Sequence, residues 1–176
     1  GNKFHLNFNS KQDAKLGYFK IEIDEVNTPI YLDNKKKLFC IIYTMNIVKL
    51  LTVENQENIN IYNLLSNFFL ILDKKDWLIN FIFWELNFYK SIGYDIDFKN
   101  YVKNVMIDGE EKFIVESTNK IIPNFLINND IYSNTETDVV NAFNIVGDFL
   151  EKTILKPNNI TFPFSRIELS NLIKLI

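Results

Sequence analysis

Apolar positions recur with two periods along the chain, every second residue near the start and every three to four residues beyond it. Phe4, Leu6 and Phe8 alternate with His5 and Asn7, and Phe19, Ile21 and Ile23 alternate with Tyr18, Lys20 and Glu22. Each run predicts a half-buried strand, and the polar turn Asn9 to Asp13 sets the two antiparallel. Two strands alone are marginal in water, so the pair calls for partner strands. None follow in the sequence, which points to a further β segment upstream of Gly1, a residue that is not the initiator Met.

From Pro29 onward the spacing is helical. Leu38, Ile41, Ile42, Met45, Val48, Leu50 and Leu51 predict a helix capped by Asp33 or Asn34. Ile61, Leu64, Leu65, Phe68, Phe69 and Leu72 predict a second, with Lys74 and Lys75 just past its end, where cations favour the helix dipole. The third runs through Asp76 to Asp97. Trp77, Phe81, Trp84 and Phe88, flanked by Leu78, Ile82, Leu86 and Tyr89, make it apolar around most of its circumference, as a central helix must be. Asp76 is placed as its N-cap and Gly93 as the left-handed residue that ends it. It carries Asn80, Glu85, Asn87 and Lys90 and is shorter than the roughly 20 apolar residues of a membrane span, so no membrane role is expected. Three consecutive helices on short loops predict a bundle.

Beyond Phe98, Val105, Ile107, Phe113 and Val115 surround Asp108-Gly109, which predicts a β-hairpin inserted at about 102–117, with either a two-residue or a longer loop. The stretch Ile121 to Ile127, broken by Pro123, reads as irregular. Thr135 or Thr137 then opens a helix carrying Val139, Val140, Phe143, Val146, Phe149 and Leu150, which runs to about Thr153 before Pro157 stops it. Ser165 opens a last short helix with Ile167, Leu169, Leu172 and Ile173.

Composition narrows the chemistry. A 47% apolar content over 176 residues is ample for a core, and the net charge of -3 denies the chain a global basic field. Any nucleic-acid contact therefore needs a local patch. Lys, Asn and Ile are heavily used, a bias that fits an AT-rich genome, while Arg occurs once, at Arg166. Cys40 and His5 are also single, which excludes an internal disulfide and a zinc site made of Cys and His alone, and favours a reducing, cytoplasmic setting. No signal peptide, phosphate loop or nucleophile constellation is visible, so an enzyme is not expected.

Four stretches, taken in order, resemble the RecO family of bacterial DNA recombination and repair mediators. They are Gly1-Asn2 with the strand after it and Leu16-Gly17-Tyr18-Phe19; Phe81-Ile82-Phe83-Trp84-Glu85-Leu86; Ile92-Gly93-Tyr94-Asp95-Ile96-Asp97; and Phe149-Leu150-Glu151-Lys152 with Phe162-Pro163-Phe164-Ser165-Arg166. The resemblance implies a mainly α fold, in which residues 1–26 are the last strands of an OB-fold barrel and residues 27–176 a helical domain with a hairpin insert. It implies a noncatalytic protein that acts on the nucleoid, binds single-stranded and double-stranded DNA, anneals complementary strands and helps load RecA with RecR. It also implies docking of the acidic C-terminal tail of single-strand-binding protein. Two departures stand out. No Cys lies between Phe98 and Phe125, where many relatives bind zinc, so no metal or other cofactor is carried over. Phe83 replaces an Arg two residues before the Glu, which removes a cation where the family could hold an acidic partner.

Candidate DNA contacts are Lys3, Lys11, Lys15 and Lys20 on the barrel segment, beside Phe4, Phe8 and Tyr18, and the run Lys35-Lys36-Lys37. The run is the better candidate, because cations at a helix N-terminus oppose the dipole and gain nothing locally. The alternative is solvated lysines on a helical adaptor that binds only protein. For the tail, Lys90, two turns from Phe83 on nearly the same face, is the substitute cation. Glu85 among aromatics lacks a second acid, histidine or nucleophile at helical spacing, so it is expected to pair structurally with Arg166, in bidentate fashion.

Overall fold

The computed structural model describes residues 1–10, 16–54, 56–107, 109–115, 120–128 and 134–174. Strands β1 (Lys3–Asn9) and β2 (Tyr18–Glu25) pair antiparallel, and a 3-10 turn, Thr28–Tyr31, leads into the helices. Helices α1 (Lys35–Leu51), α2 (Ile59–Leu72) and α3 (Trp77–Ser91) follow, then a small sheet of β3 (Val102–Ile107), β4 (Glu110–Val115) and β5 (Ile121–Ile122). The single turn α4 (Phe125–Asn128), then α5 (Glu136–Phe149) and α6 (Phe164–Ile173), complete the chain, which is mainly helical with two small antiparallel sheets.

Side chains decide where the helices start and stop. Asn34 and Asn58 each accept a backbone N–H three residues on, from Lys37 and Ile61, and so cap α1 and α2. Asp76 occupies the corresponding place before α3 but its carboxylate caps nothing; its carbonyl accepts from both the backbone and the side chain of Asn80 instead. At the other end, Gly93 at φ +96 lets its own N–H reach Lys90 O and the Tyr94 N–H reach Tyr89 O, a Schellman closure that a Cβ would strain. Thr135 and Asp138 form a reciprocal capping box for α5.

The core gathers around α3. Trp84 stacks between Phe81 and Phe88, at interplanar angles of 12° and 7°, and its indole N–H donates to Leu64 O, which locks α3 to α2. On its other sides α3 packs against α5, while α6 lies along α1.

Several sequence expectations need correction. The β1–β2 pair forms as expected but is not half-buried. Phe8 faces Phe19, Leu6 faces Ile21 and Phe4 faces Ile23, so one side of the hairpin is wholly apolar, yet Leu6 is 55% and Ile21 61% exposed. Nothing among the described residues covers that face. Ile121 to Ile127 is ordered rather than irregular: Ile122 pairs with Phe113, and α4 buries Phe125, Leu126 and Ile127. These elements are too short to show a period. In the insert, Ile107 pairs directly with Glu110 and Gly109 takes φ +81, so the strands approach as closely as a two-residue loop requires; Asp108 lies outside the described residues. Pro157 does not stop the helix begun at Glu136. The chain widens into a π-helical segment, Leu150–Leu155, that turns Leu150, Ile154 and Leu155 into the core, and Pro157 sits within a following 3-10 turn ended by Asn159 at φ 55. Finally, α6 starts at Phe164 behind Pro163, and Ser165 is buried, its hydroxyl accepting from Asn46 Nδ2 of α1.

Candidate nucleic-acid interface

A buried polar junction fixes the frame on which the surface residues stand. Arg166 of α6 is 2% exposed and Glu85 of α3 fully buried, and Arg166 Nη1 donates to Glu85 Oε1. The same carboxylate oxygen accepts from Tyr43 of α1 and Tyr89 of α3, and Tyr43 Oη also accepts from Arg166 Nη1 at 2.9 Å. The pair is not bidentate, because Nη2 turns to Phe143 O of α5 at 2.9 Å, and Glu85 Oε2 accepts from no described residue. The guanidinium lies over the Phe143 ring, 4.1 Å from its centre, and against Gly147, where a Cβ would come within 2.9 Å of Nε. Burial pushes the Tyr43 and Tyr89 hydroxyls well above their ordinary range, with the Glu85 charge adding to it, so both stay protonated donors. One arginine thereby joins α1, α3, α5 and α6.

The lysines divide into two groups. On the hairpin, Lys3 is engaged by Asp24 at 3.1 Å and Glu25 at 2.9 Å, which raises its pKa, and Lys20 by Glu22 at 2.7 Å. Register places Tyr18 on the face of Lys20 but Phe4 and Phe8 on the opposite, apolar face, so these two rings do not line one groove with Lys20. Lys11 and Lys15 lie outside the described residues. Lys35, Lys36 and Lys37 form the first turn of α1, and no ion pair among the described residues engages them; Lys37 Nζ rests 5.6 Å from the Tyr31 ring centre. Tyr31 is buried and its hydroxyl donates to Asp73 Oδ1 at 2.7 Å; burial first and this bond second push the Tyr31 pKa up to about 12. Asp73 ends α2 and directly precedes Lys74 and Lys75, so the bond brings that stretch of chain to the Tyr31 end of the bundle. Sequence pattern alone gives these two only to the α2 dipole, because what relates them to the 35–37 run is a tertiary bond that no local pattern carries.

Phe83 and Lys90 are each engaged within the fold. Phe83 is half-buried, its ring edge-on to Phe125 at 5.9 Å, and Lys90 Nζ is paired with Asp95 Oδ2 at 2.7 Å. Cys40 is a fully buried core thiol. Among the described residues no group of His, Cys, Asp and Glu could hold a metal, and no helix is long and apolar enough to cross a membrane.

The chain is thus a helical domain carrying a small antiparallel insert, and its Lys35–Lys37 turn meets no carboxylate among the described residues. The family described as Recombination protein O C terminal matches residues 33–156, which run from the approach to α1 through the insert to the end of the π-helical segment. The chain belongs to the RecO family, and so to the proteins of DNA repair and recombination. It is 26% identical to the DNA repair protein RecO of Ehrlichia chaffeensis, in an alignment covering 99% of this chain and 80% of that protein. No solved structure matches it significantly.

Proposed function

We propose that the chain is a recombination mediator that binds single-stranded and double-stranded DNA, anneals complementary strands and, with RecR, helps load RecA, without catalysing a reaction itself. Its membership of the RecO family carries this reading. The reading divides the chain into OB-barrel strands at residues 1–26 and a helical domain at 27–176 with the hairpin insert, and it places the protein on the nucleoid in the cytoplasm. The amphipathic β1–β2 pair suits a barrel, in which one face of every strand points inward. Lys35, Lys36 and Lys37 are the phosphate contacts the geometry supports best, because acids occupy Lys3 and Lys20. Phe83 and Lys90 remain the proposed seat of the acidic tail of single-strand-binding protein, at the cost of opening the Lys90–Asp95 pair.

Binding to single-stranded DNA measured against salt tests the reading. Phosphate contacts release counterions and give a steep negative slope of log K on log salt, whereas a flat, absent or salt-independent response removes it. A protein-only adaptor is the second reading, favoured by a groove of about 620 Å³ between α1 and the segment before α6, lined by Phe39, Ile42, Leu50, Phe162 and Phe164 with Lys49 at its side.

A further inference from the structure

Elsewhere on the described surface, Lys3, Lys20, Lys90, Lys120, Lys152 and Lys156 are matched by carboxylates at 2.7 to 3.4 Å, and Lys49, Lys99, Lys103 and Lys174, which have no ion pair among the described residues, each lack an adjacent lysine in sequence. The end of the bundle around Tyr31 differs. Two lysine runs far apart in sequence, 35–37 and 74–75, converge there, drawn together by the Tyr31–Asp73 hydrogen bond and by the seat of Lys37 on the Tyr31 ring. Three aspartates adjoin them in sequence, Asp33, Asp73 and Asp76, and Asp73 already accepts from Tyr31. The excess of cations is therefore a property of the tertiary structure and not of either run alone.

We propose that this five-lysine platform is a binding site for the phosphate backbone of double-stranded DNA, with Lys74 and Lys75 contributing as much as the 35–37 run. The inference rests on the nucleic-acid reading above and adds the site and the form of the ligand. A single strand presents unstacked bases, and surfaces that hold it interleave cations with exposed rings. The platform has no exposed ring beside it in sequence: Tyr31 is buried at 6% exposure, and Phe39 and Trp77, next to the two runs, pack against the core. A duplex keeps its bases stacked inside and turns its phosphates outward, which is the form a lysine surface without rings can bind. The exposed rings among the described residues, Tyr18 included, lie away from the platform, so it is assigned to the duplex and not to a single strand.

The test is fluorescence anisotropy of a labelled duplex and of a single strand of equal length over a salt series. Wild type is compared with Lys74→Gln/Lys75→Gln, with Lys35→Gln/Lys36→Gln/Lys37→Gln and with a Lys103→Gln control on the insert. Lys35, Lys74, Lys75 and Lys103 are exposed and Lys36 and Lys37 half-buried, and unchanged circular dichroism confirms that each variant folds. The double variant is expected to weaken duplex binding and to flatten its salt slope by about 2, roughly one for each lysine removed. Single-strand binding should move far less, and the control not at all. Duplex affinity and slope unchanged by Lys74→Gln/Lys75→Gln overturn the platform even where wild type binds DNA with a steep slope. Equal losses for both forms of DNA overturn its duplex character. Wild type that binds neither form overturns the nucleic-acid reading along with the platform, and capture of polyglutamate without duplex would assign the lysines to an acidic protein instead.

Discussion

Arg166 shows how much one side chain can be asked to do. Its guanidinium is desolvated completely, and the cost is met by Glu85, Tyr43, the Phe143 carbonyl and two aromatic faces. Removing one partner leaves the other charge buried alone, so Arg166→Met and Glu85→Gln are each expected to lower stability by about 3 to 5 kcal/mol. The double variant should lose clearly less than the sum, which urea denaturation of the four proteins would read. A sum equal to the two single losses would mean that the residues do not couple. That the two would meet was legible in the sequence, because a solitary arginine and a carboxylate among aromatics have few other ways to be satisfied. The one-toothed geometry was not, nor were Tyr43 and Gly147. Those come from helices whose rotation about their own axes is set by packing, and Gly147 carries no chemical signal until the guanidinium is laid against it.

At the scale of elements, the helical period located α1, α2, α3, α5 and α6, since each buries a stripe long enough to repeat. Their ends were less legible. Asn34 and Asp76 are both acceptable N-cap residues by type, yet only Asn34 bonds into its helix. Asn34→Ala is expected to cost about 1 kcal/mol, whereas Asp76→Ala should leave the thermal midpoint almost unmoved. Equal losses at the two positions would show that residue type, and not the bond seen here, sets the effect. The π-helical turn and the β5–α4 segment escaped the sequence for a related reason: each is shorter than the window in which a period can be recognised.

For the whole molecule, the tyrosines set a limit on the alkaline side. Tyr31 bonds the approach to α1 to the end of α2, and Tyr43 and Tyr89 line the buried junction; all three ionise above their ordinary value of 10.0 in the fold. The unfolded chain loses these protons first. Their contribution is therefore intact below pH 10 and declines as pH rises past it, so the denaturation midpoint should fall steeply there. Tyr31→Phe, which deletes the bond to Asp73, should lower the midpoint at neutral pH and flatten its alkaline fall; an unchanged alkaline slope would count against it. The hairpin was the least legible part at this scale. Alternation correctly paired β1 with β2, but alternation records which face is apolar and not whether anything covers it.

The scarcity of two residue types gives the chain built-in chemical clocks. Arg166 is its single guanidinium and Cys40 its single thiol, and both are buried, on α6 and α1. A dicarbonyl reagent that reacts with arginine, or a disulfide reagent that reacts with cysteine, has one target each and no exposed competitor of the same kind. Modification at Arg166 waits until α6 leaves the junction, and modification at Cys40 until α1 does. The ratio of the two labelling rates would measure how cooperatively the helical core opens.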